Sequence, residues 1–261
     1  MSLFFVQFHA FYFVVTFYYT TFALYINTNN HSSHKRNILT ELLKYLVDVD
    51  TQIFLDINAC HNSFWDVFMP LYSNKFVWVF FYLSLLYLIA RNYTWKVTLL
   101  WLVAAIVVIT ICDQVTASLI RPWVARLRPS NLQNPISDAV HVVNGYRGGN
   151  YSFPSAHAAN SWGLAIFITM LFRNRWLSFC MMAWALLTCY SRLYLGVHYF
   201  GDLLFGMMIG CLGACLVYFL LTRFTEIKRP EKIVQTYVPM VVLMATITVF
   251  LGISAYKCFW P

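Results

Sequence analysis

Three groups of residues in this chain of 261 have the types and spacing to do chemistry, and each sits at the edge of a long apolar run. The first is Arg121, with Arg128 and Pro129 seven and eight positions later; the second is Pro154-Ser155-Ala156-His157; the third is Ser191-Arg192, followed by His198 and Asp202. The guanidiniums of Arg121, Arg128 and Arg192 are planar forks of donors suited to an oxyanion with several oxygens, phosphate above all. Ser155 opens an apolar run, where a helix N-terminus would add free backbone N–H groups and a favourable dipole for the same anion. Two histidines complete the set, His198 as the nucleophile toward phosphorus and His157 as the acid that protonates the leaving oxygen. His198 and Asp202 stand four apart, so on one helix the carboxylate would hold one ring nitrogen and leave the other for in-line attack. No metal or cofactor is expected, because the arginines supply the neutralising charge and the sequence offers no carboxylate or cysteine cage.

The elements that must position these groups are membrane helices. The chain is 60% apolar, 19% aromatic and only 11% charged, with a mean hydropathy of +0.62, whereas soluble domains carry about 25% charged residues. That composition excludes a soluble domain and a disordered chain. The net charge of +8, from 18 basic and 10 acidic residues, is a topology signal facing anionic lipid rather than a surface for nucleic acid. Seven apolar segments, approximately 4–26, 68–90, 97–120, 155–172, 176–195, 202–222 and 238–257, are long enough to cross roughly 30 Å of hydrocarbon. The expected fold is all-α, a polytopic transmembrane helix bundle of about six or seven spans. Residues 1–63 are expected to hold an anchor helix, a polar linker at Asn27–Asn37 and an interfacial amphipathic helix over 41–63. Residues 64–222 form the transmembrane core, and residues 223–261 a basic loop and a last span.

Basic residues gather in the loops 91–96, 173–175 and 223–237, which the positive-inside rule makes cytoplasmic; Lys35, Arg36 and Lys44 are the exception. The three polar groups then share the extracytoplasmic face of the inner (plasma) membrane, beside the long loop 121–153. In that loop Arg126, Asp138, His141 and Arg147 are candidate contacts for a substrate head group. Asp113, inside an apolar run, is expected to partner a neighbouring arginine or hydroxyl. Gly206, Gly210 and Gly213 are expected to permit close helix packing, and Trp65, Trp95 and Trp176 to anchor span ends. The seven cysteines lack CxxC spacing, and only Cys60 and Cys258 lie where a disulfide is conceivable.

Taken in order, Arg121-x6-Arg128-Pro129, Pro154-Ser155-x-His157 and Ser191-Arg192-x5-His198-x3-Asp202 resemble the three-part signature of the phosphatidic acid phosphatase type 2 superfamily. The resemblance implies phosphate contacts from Arg121, Arg128, Ser155, Arg192 and the backbone at Ala156, a phosphohistidine at His198 supported by Asp202, and leaving-group protonation by His157. Two positions depart from the family pattern: Arg121 stands where lysine is usual, and Ala156 where glycine is usual. The implied activity is a metal-independent membrane lipid phosphatase, with lipid A or undecaprenyl diphosphate ahead of phosphatidylglycerol phosphate and phosphatidic acid. The alternatives are a lipid phosphotransferase using the same site and a non-enzymatic anion or lipid transporter.

Overall fold

The computed structural model describes residues 33–227, 230 and 232–260. The expected anchor over 4–26 and most of the polar linker lie outside the described residues. Helix α1, Ser33–Asn58, runs without a break from the end of that linker into the amphipathic segment, ending five residues short of the expected 63; the sequence within it contains neither Pro nor Gly to stop it. The chain divides into two compact units after Phe54, and the second, from Leu55 onward, holds all three polar groups.

The second unit is a helix bundle. Helix α2 spans Ser63–Ser73, α3 Lys75–Asn92 and α4 Trp95–Val124, α5 Ala156–Phe172, α6 Arg175–Tyr194, α7 Phe200–Phe224 and α8 Tyr237–Phe259. Among the described residues α3, α4, α7 and α8 are long and apolar enough to cross a membrane, while α5 is apolar but shorter, about 26 Å at the helical rise. The protein is a membrane protein. Segment 68–90 is two helices rather than the one span expected. Asn74 breaks it in an extended conformation (φ −77°, ψ 116°) and caps the next turn, its Oδ1 accepting from Phe76 N–H at 3.0 Å.

Helix α5 lies at the centre and packs most extensively on α7, then on α6 and α4, while α8 covers α2 and α3. The α5–α7 seam is possible because two of the glycines of α7, Gly206 and Gly210, face α5. A Cβ on Gly206 would stand 2.3 Å from the Ser155 carbonyl oxygen, and one on Gly210 2.3 Å from that of Ala159. Gly213 is in ordinary contact with Cys112 of α4 instead. With little hydrophobic drive between helices in lipid, such close approach and the van der Waals contact it allows do the work of association. On the other flank Tyr72, Trp78, Phe81 and Trp184 form an aromatic cluster that joins α2, α3 and α6. Two of their polar atoms are satisfied inside it: Trp78 Nε1–H donates to the Tyr72 carbonyl at 2.8 Å and the Tyr72 hydroxyl to the Trp184 carbonyl at 3.0 Å. Trp95 and Trp176 are exposed, as anchors should be, but Trp65 packs edge-on against Phe68. Cys60 and Cys258 are free thiols.

The chain direction of these helices brings the last turn of α4, the start of α5, the end of α6 and the start of α7 to one end of the bundle. A substitution at the seam should therefore disturb both stability and that end. Gly206→Ala and Gly210→Ala are each expected to lower stability in detergent by about 1–3 kcal/mol through overpacking. Gly252→Ala, where nothing lies within 4 Å, should stay within about 0.5 kcal/mol. Thermal unfolding of the three purified variants is the check, and equal midpoints would contradict the seam.

Candidate active site

The first group is delivered by an irregular helix end. Helix α4 widens into a π-turn over Gln114–Ile120 before its final turn, Arg121–Val124, and local π geometry of this kind re-aims the residues that follow. Arg121 Nη2 donates to the Pro154 carbonyl at 2.9 Å, which ties the end of α4 to the turn before α5. Asp113, half-buried just before the π-turn, is near enough to act on Arg121 through its charge, short of the ion pair or hydrogen bond expected of a partner. Beyond the helix the chain is extended, and Leu127 bridges antiparallel to Tyr151. Arg128 there is 8% exposed and its Nη1 donates to the Val197 carbonyl at 3.2 Å.

The second and third groups meet across the glycine seam. Ser155 is the N-cap of α5, its Oγ accepting from Ala158 N–H at 3.4 Å, and Ala156 is the first helical residue. The Ser155 N–H donates to the Asp202 carbonyl at 3.0 Å, so the start of α5 is bonded to the start of α7. Arg192, 3% exposed, donates from Nη1 to the Ser73 hydroxyl and from Nη2 to the Tyr146 hydroxyl, the latter at 3.4 Å. His157 faces the charges of Arg192, His198, Arg128 and Arg121, and His198 those of Arg128, Arg192 and Arg121. All of Arg121, Arg128, Ser155, His157, Arg192, His198 and Asp202 thus gather at one end of the bundle. Ser191 bonds within its own helix, to the Thr188 carbonyl at 2.7 Å.

The electrostatics of this cluster are unbalanced. The Nε–H of Arg121, Arg128 and Arg192 are each buried without an acceptor, and a buried donor left unpaired costs about 1–3 kcal/mol, more when charged. Burial, with Arg192 and Arg121 beside it, pushes Arg128 down to about 10. Burial and the same arginines hold the His198 imidazole well below the ordinary histidine range, so it is neutral near pH 7. Such donors match in type the acceptors of an anion with several oxygens.

His198 and Asp202 do not share a helix as expected. His198, 1% exposed, lies in the turn before α7, and Asp202 is the third residue of that helix. Asp202 Oδ2 comes within 3.4 Å of His198 Nδ1, close enough to act through charge but not aligned for a hydrogen bond. The carboxylate is held instead by Arg126, whose Nη1 donates to Oδ1 at 3.0 Å, and by the Tyr199 N–H, which donates to Oδ2 at 2.9 Å. Arg126 also stacks on the Tyr199 ring at 3.6 Å. Arg126 was a candidate head-group contact; its position on Asp202 is signalled by the Arg126-x-Arg128 spacing, since residues two apart on extended chain share a side. His141 is likewise engaged away from the cluster, on Asp66 at 2.7 Å and stacked on His61, and Arg147 donates to the Ser130 carbonyl. Asp138 is exposed. Ser73 and Tyr146, both on Arg192, carried no sequence signal.

The sequence pattern of the PAP2 superfamily matches residues 99–226. A lipid A 4'-phosphatase of Bacteroides thetaiotaomicron is 50% identical over 184 residues, which are 70% of this chain and 82% of that one. The chain belongs to the PAP2 superfamily. A second relative within it, a lipid A 4'-phosphatase of Porphyromonas gingivalis, is 34% identical over 67% of this chain and 74% of its own. The crystal structure of a PAP2-type phosphatidylglycerolphosphate phosphatase from Bacillus subtilis shares the fold: TM-score 0.55 at 20% identity, covering 83% of this chain and 100% of that one.

Within this PAP2 site, Arg126 is expected to set the protonation of His198 through Asp202. Arg126→Ala removes a positive charge that neutralises the carboxylate, so Asp202 stabilises the imidazolium more strongly and the pH at which His198 gains its proton rises. Turnover should fall about tenfold or more and its acid limb should move up in pH, while Arg126→Lys moves it less. A uniform loss of activity with an unshifted pH profile would leave Arg126 only a structural role.

Proposed function

We propose that this membrane lipid phosphatase of the PAP2 superfamily removes the 4'-phosphate of lipid A, at the extracytoplasmic face of the inner membrane, through a phosphohistidine at His198. The observation that carries the chemistry is the convergence of three buried guanidiniums, each with an unpartnered Nε–H, on two histidines. Identity of 50% across most of a lipid A 4'-phosphatase supports the substrate. The gathering of Arg91, Lys96, Arg173, Arg175 and Arg223 at the helix ends and turns of the other end of the bundle supports the facing side.

In the first step His198 Nε2, with Nδ1 turned to Asp202, attacks phosphorus in line. The phosphorus–oxygen ester bond breaks, and His157 gives its proton to the departing sugar oxygen. Negative charge on the three equatorial oxygens is met by Arg121, Arg128 and Arg192 and by the N-terminal N–H groups of α5 at Ala156. In the second step water attacks the phosphohistidine, its proton passing to His157, and the N–P bond breaks to free inorganic phosphate. No metal or cofactor has a step in this scheme, since fixed guanidiniums occupy the place of the cation.

The test is release of inorganic phosphate by the purified protein and its His198→Ala variant, with EDTA present, from lipid A, undecaprenyl diphosphate, phosphatidylglycerol phosphate and phosphatidic acid. Lipid A is expected to be turned over fastest, chelation to leave the rate unchanged, and the variant to lose at least about a thousandfold. A faster rate on another lipid would reassign the substrate. Loss of activity to EDTA would reject the metal-free scheme.

A further inference from the structure

The loop between α4 and α5 reaches back over the phosphate cradle. Its turn at Val143–Gly145 carries Asn144 and Gly145 in the left-handed region (φ 50° and 70°) and is closed by Tyr146 N–H donating to the Val143 carbonyl at 3.0 Å. Arg147 and Ser130 are tied twice, by the Arg147 guanidinium on the Ser130 carbonyl and by the Ser130 hydroxyl on the Arg147 carbonyl. Ser130 N–H in turn donates to the Gly196 carbonyl at 3.0 Å, two residues before His198. Gly148 (φ +67°) lies so close on Arg128 that a Cβ there would stand 2.9 Å from Nη1. The loop is therefore fixed to the cradle at its backbone.

What this fixing presents is Tyr146. Its hydroxyl meets Arg192 Nη2, its ring centre is 5.9 Å from the Arg192 guanidinium carbon, and yet the residue is 46% exposed while Arg192 is 3% exposed. Its side chain therefore runs from the buried Arg192 out to solvent. Apart from Arg128 in the cradle itself, the charged residues of the same loop region are engaged or placed elsewhere: Arg126 on Asp202, His141 on Asp66, Arg147 on Ser130 and Asp138 exposed. Beyond Arg128, what the loop offers beside the cradle is thus an aromatic face and a hydroxyl rather than a further charge. A flat, neutral, partly apolar face held rigid beside a phosphate suits the ring of a phosphorylated sugar, whose C–H face stacks on an aromatic, better than a flexible glycerol or prenyl chain.

We infer that Tyr146 forms a sugar-ring subsite beside the phosphate cradle and selects phosphate esters carried on a pyranose. This rests on the lipid A reading above for the identity of the sugar.

The experiment measures competitive inhibition by inorganic phosphate and by glucosamine 4-phosphate, on whichever lipid phosphate the native protein turns over, in native, Tyr146→Ala and Tyr146→Phe proteins. Inorganic phosphate probes the cradle alone, and the sugar phosphate probes cradle and subsite together. Native protein should bind the sugar phosphate more tightly than phosphate. Tyr146→Ala should weaken the sugar phosphate about tenfold and inorganic phosphate less than about twofold, and Tyr146→Phe should restore most of the loss. Equal weakening of both inhibitors would mean that Tyr146 acts on Arg192 and not on a sugar, and no weakening of either would remove the subsite; both overturn the inference. Failure of the native protein to turn over lipid A, with sugar-phosphate inhibition intact, would overturn the lipid A reading and leave the subsite standing.

Discussion

Three positive charges buried within reach of one another are the constraint around which the rest of this protein is arranged. Arg121, Arg128 and Arg192 repel; packing of the helices and the long loop has taken Arg128 and Arg192 out of water and Arg121 in part. Burial of like charges is tolerated only where hydrogen bonds and an opposing charge compensate it. The protein supplies part of that compensation with oxygens that carry no full charge: the carbonyls of Pro154 and Val197 and the hydroxyls of Ser73 and Tyr146. The remainder, at three Nε–H groups, matches the acceptors of the polyoxygen anion proposed as ligand, phosphate, and would favour it more as charge gathers on its equatorial oxygens.

Holding that arrangement at the end of a bundle requires the helices to meet at fixed heights. The start of α5 and the start of α7 are bonded through the Ser155 N–H and the Asp202 carbonyl, and Gly206 and Gly210 let the two backbones close to the distance this bond needs. The nucleophile candidate then sits before α7 and its carboxylate inside the first turn, so the pair does not lie along the helix. The Tyr199 N–H and Arg126 fix the carboxylate from the front, and His198 is oriented by what surrounds it rather than by a hydrogen bond along a helix. Electrostatic preorganisation of this kind puts the cost of ordering into folding, so little reorganisation is left for the reaction itself.

The cradle was legible in the sequence because its members are conspicuous there. A guanidinium or imidazole at the edge of an apolar run has few other reasons to be present, and the alternating direction of successive helices places Arg121, Ser155, His157, Arg192 and His198 at one end by counting alone. The glycines of α7 were legible for the same reason. Hidden were the features that depend on irregular backbone. The break at Asn74 interrupts a run whose composition is continuous, and it ends α2 at Ser73 beside Arg192. Asp202 folds back to Tyr199 and Arg126 instead of pairing along a helix, since the helix begins two residues after His198. Tyr146 is brought to Arg192 by a loop whose course is set by left-handed turns and by Arg147 on Ser130, contacts that no periodicity records.

The central claim, that His198 takes the phosphoryl group onto its ring, is tested most directly by rapid quench of the full-length protein with lipid A labelled in its 4'-phosphate. Label should appear on the protein within one turnover, survive base, be lost in acid, map to His198 and be absent from the His198→Ala variant. Steady turnover with no labelled protein at any time point, or label that persists in His198→Ala, would contradict it.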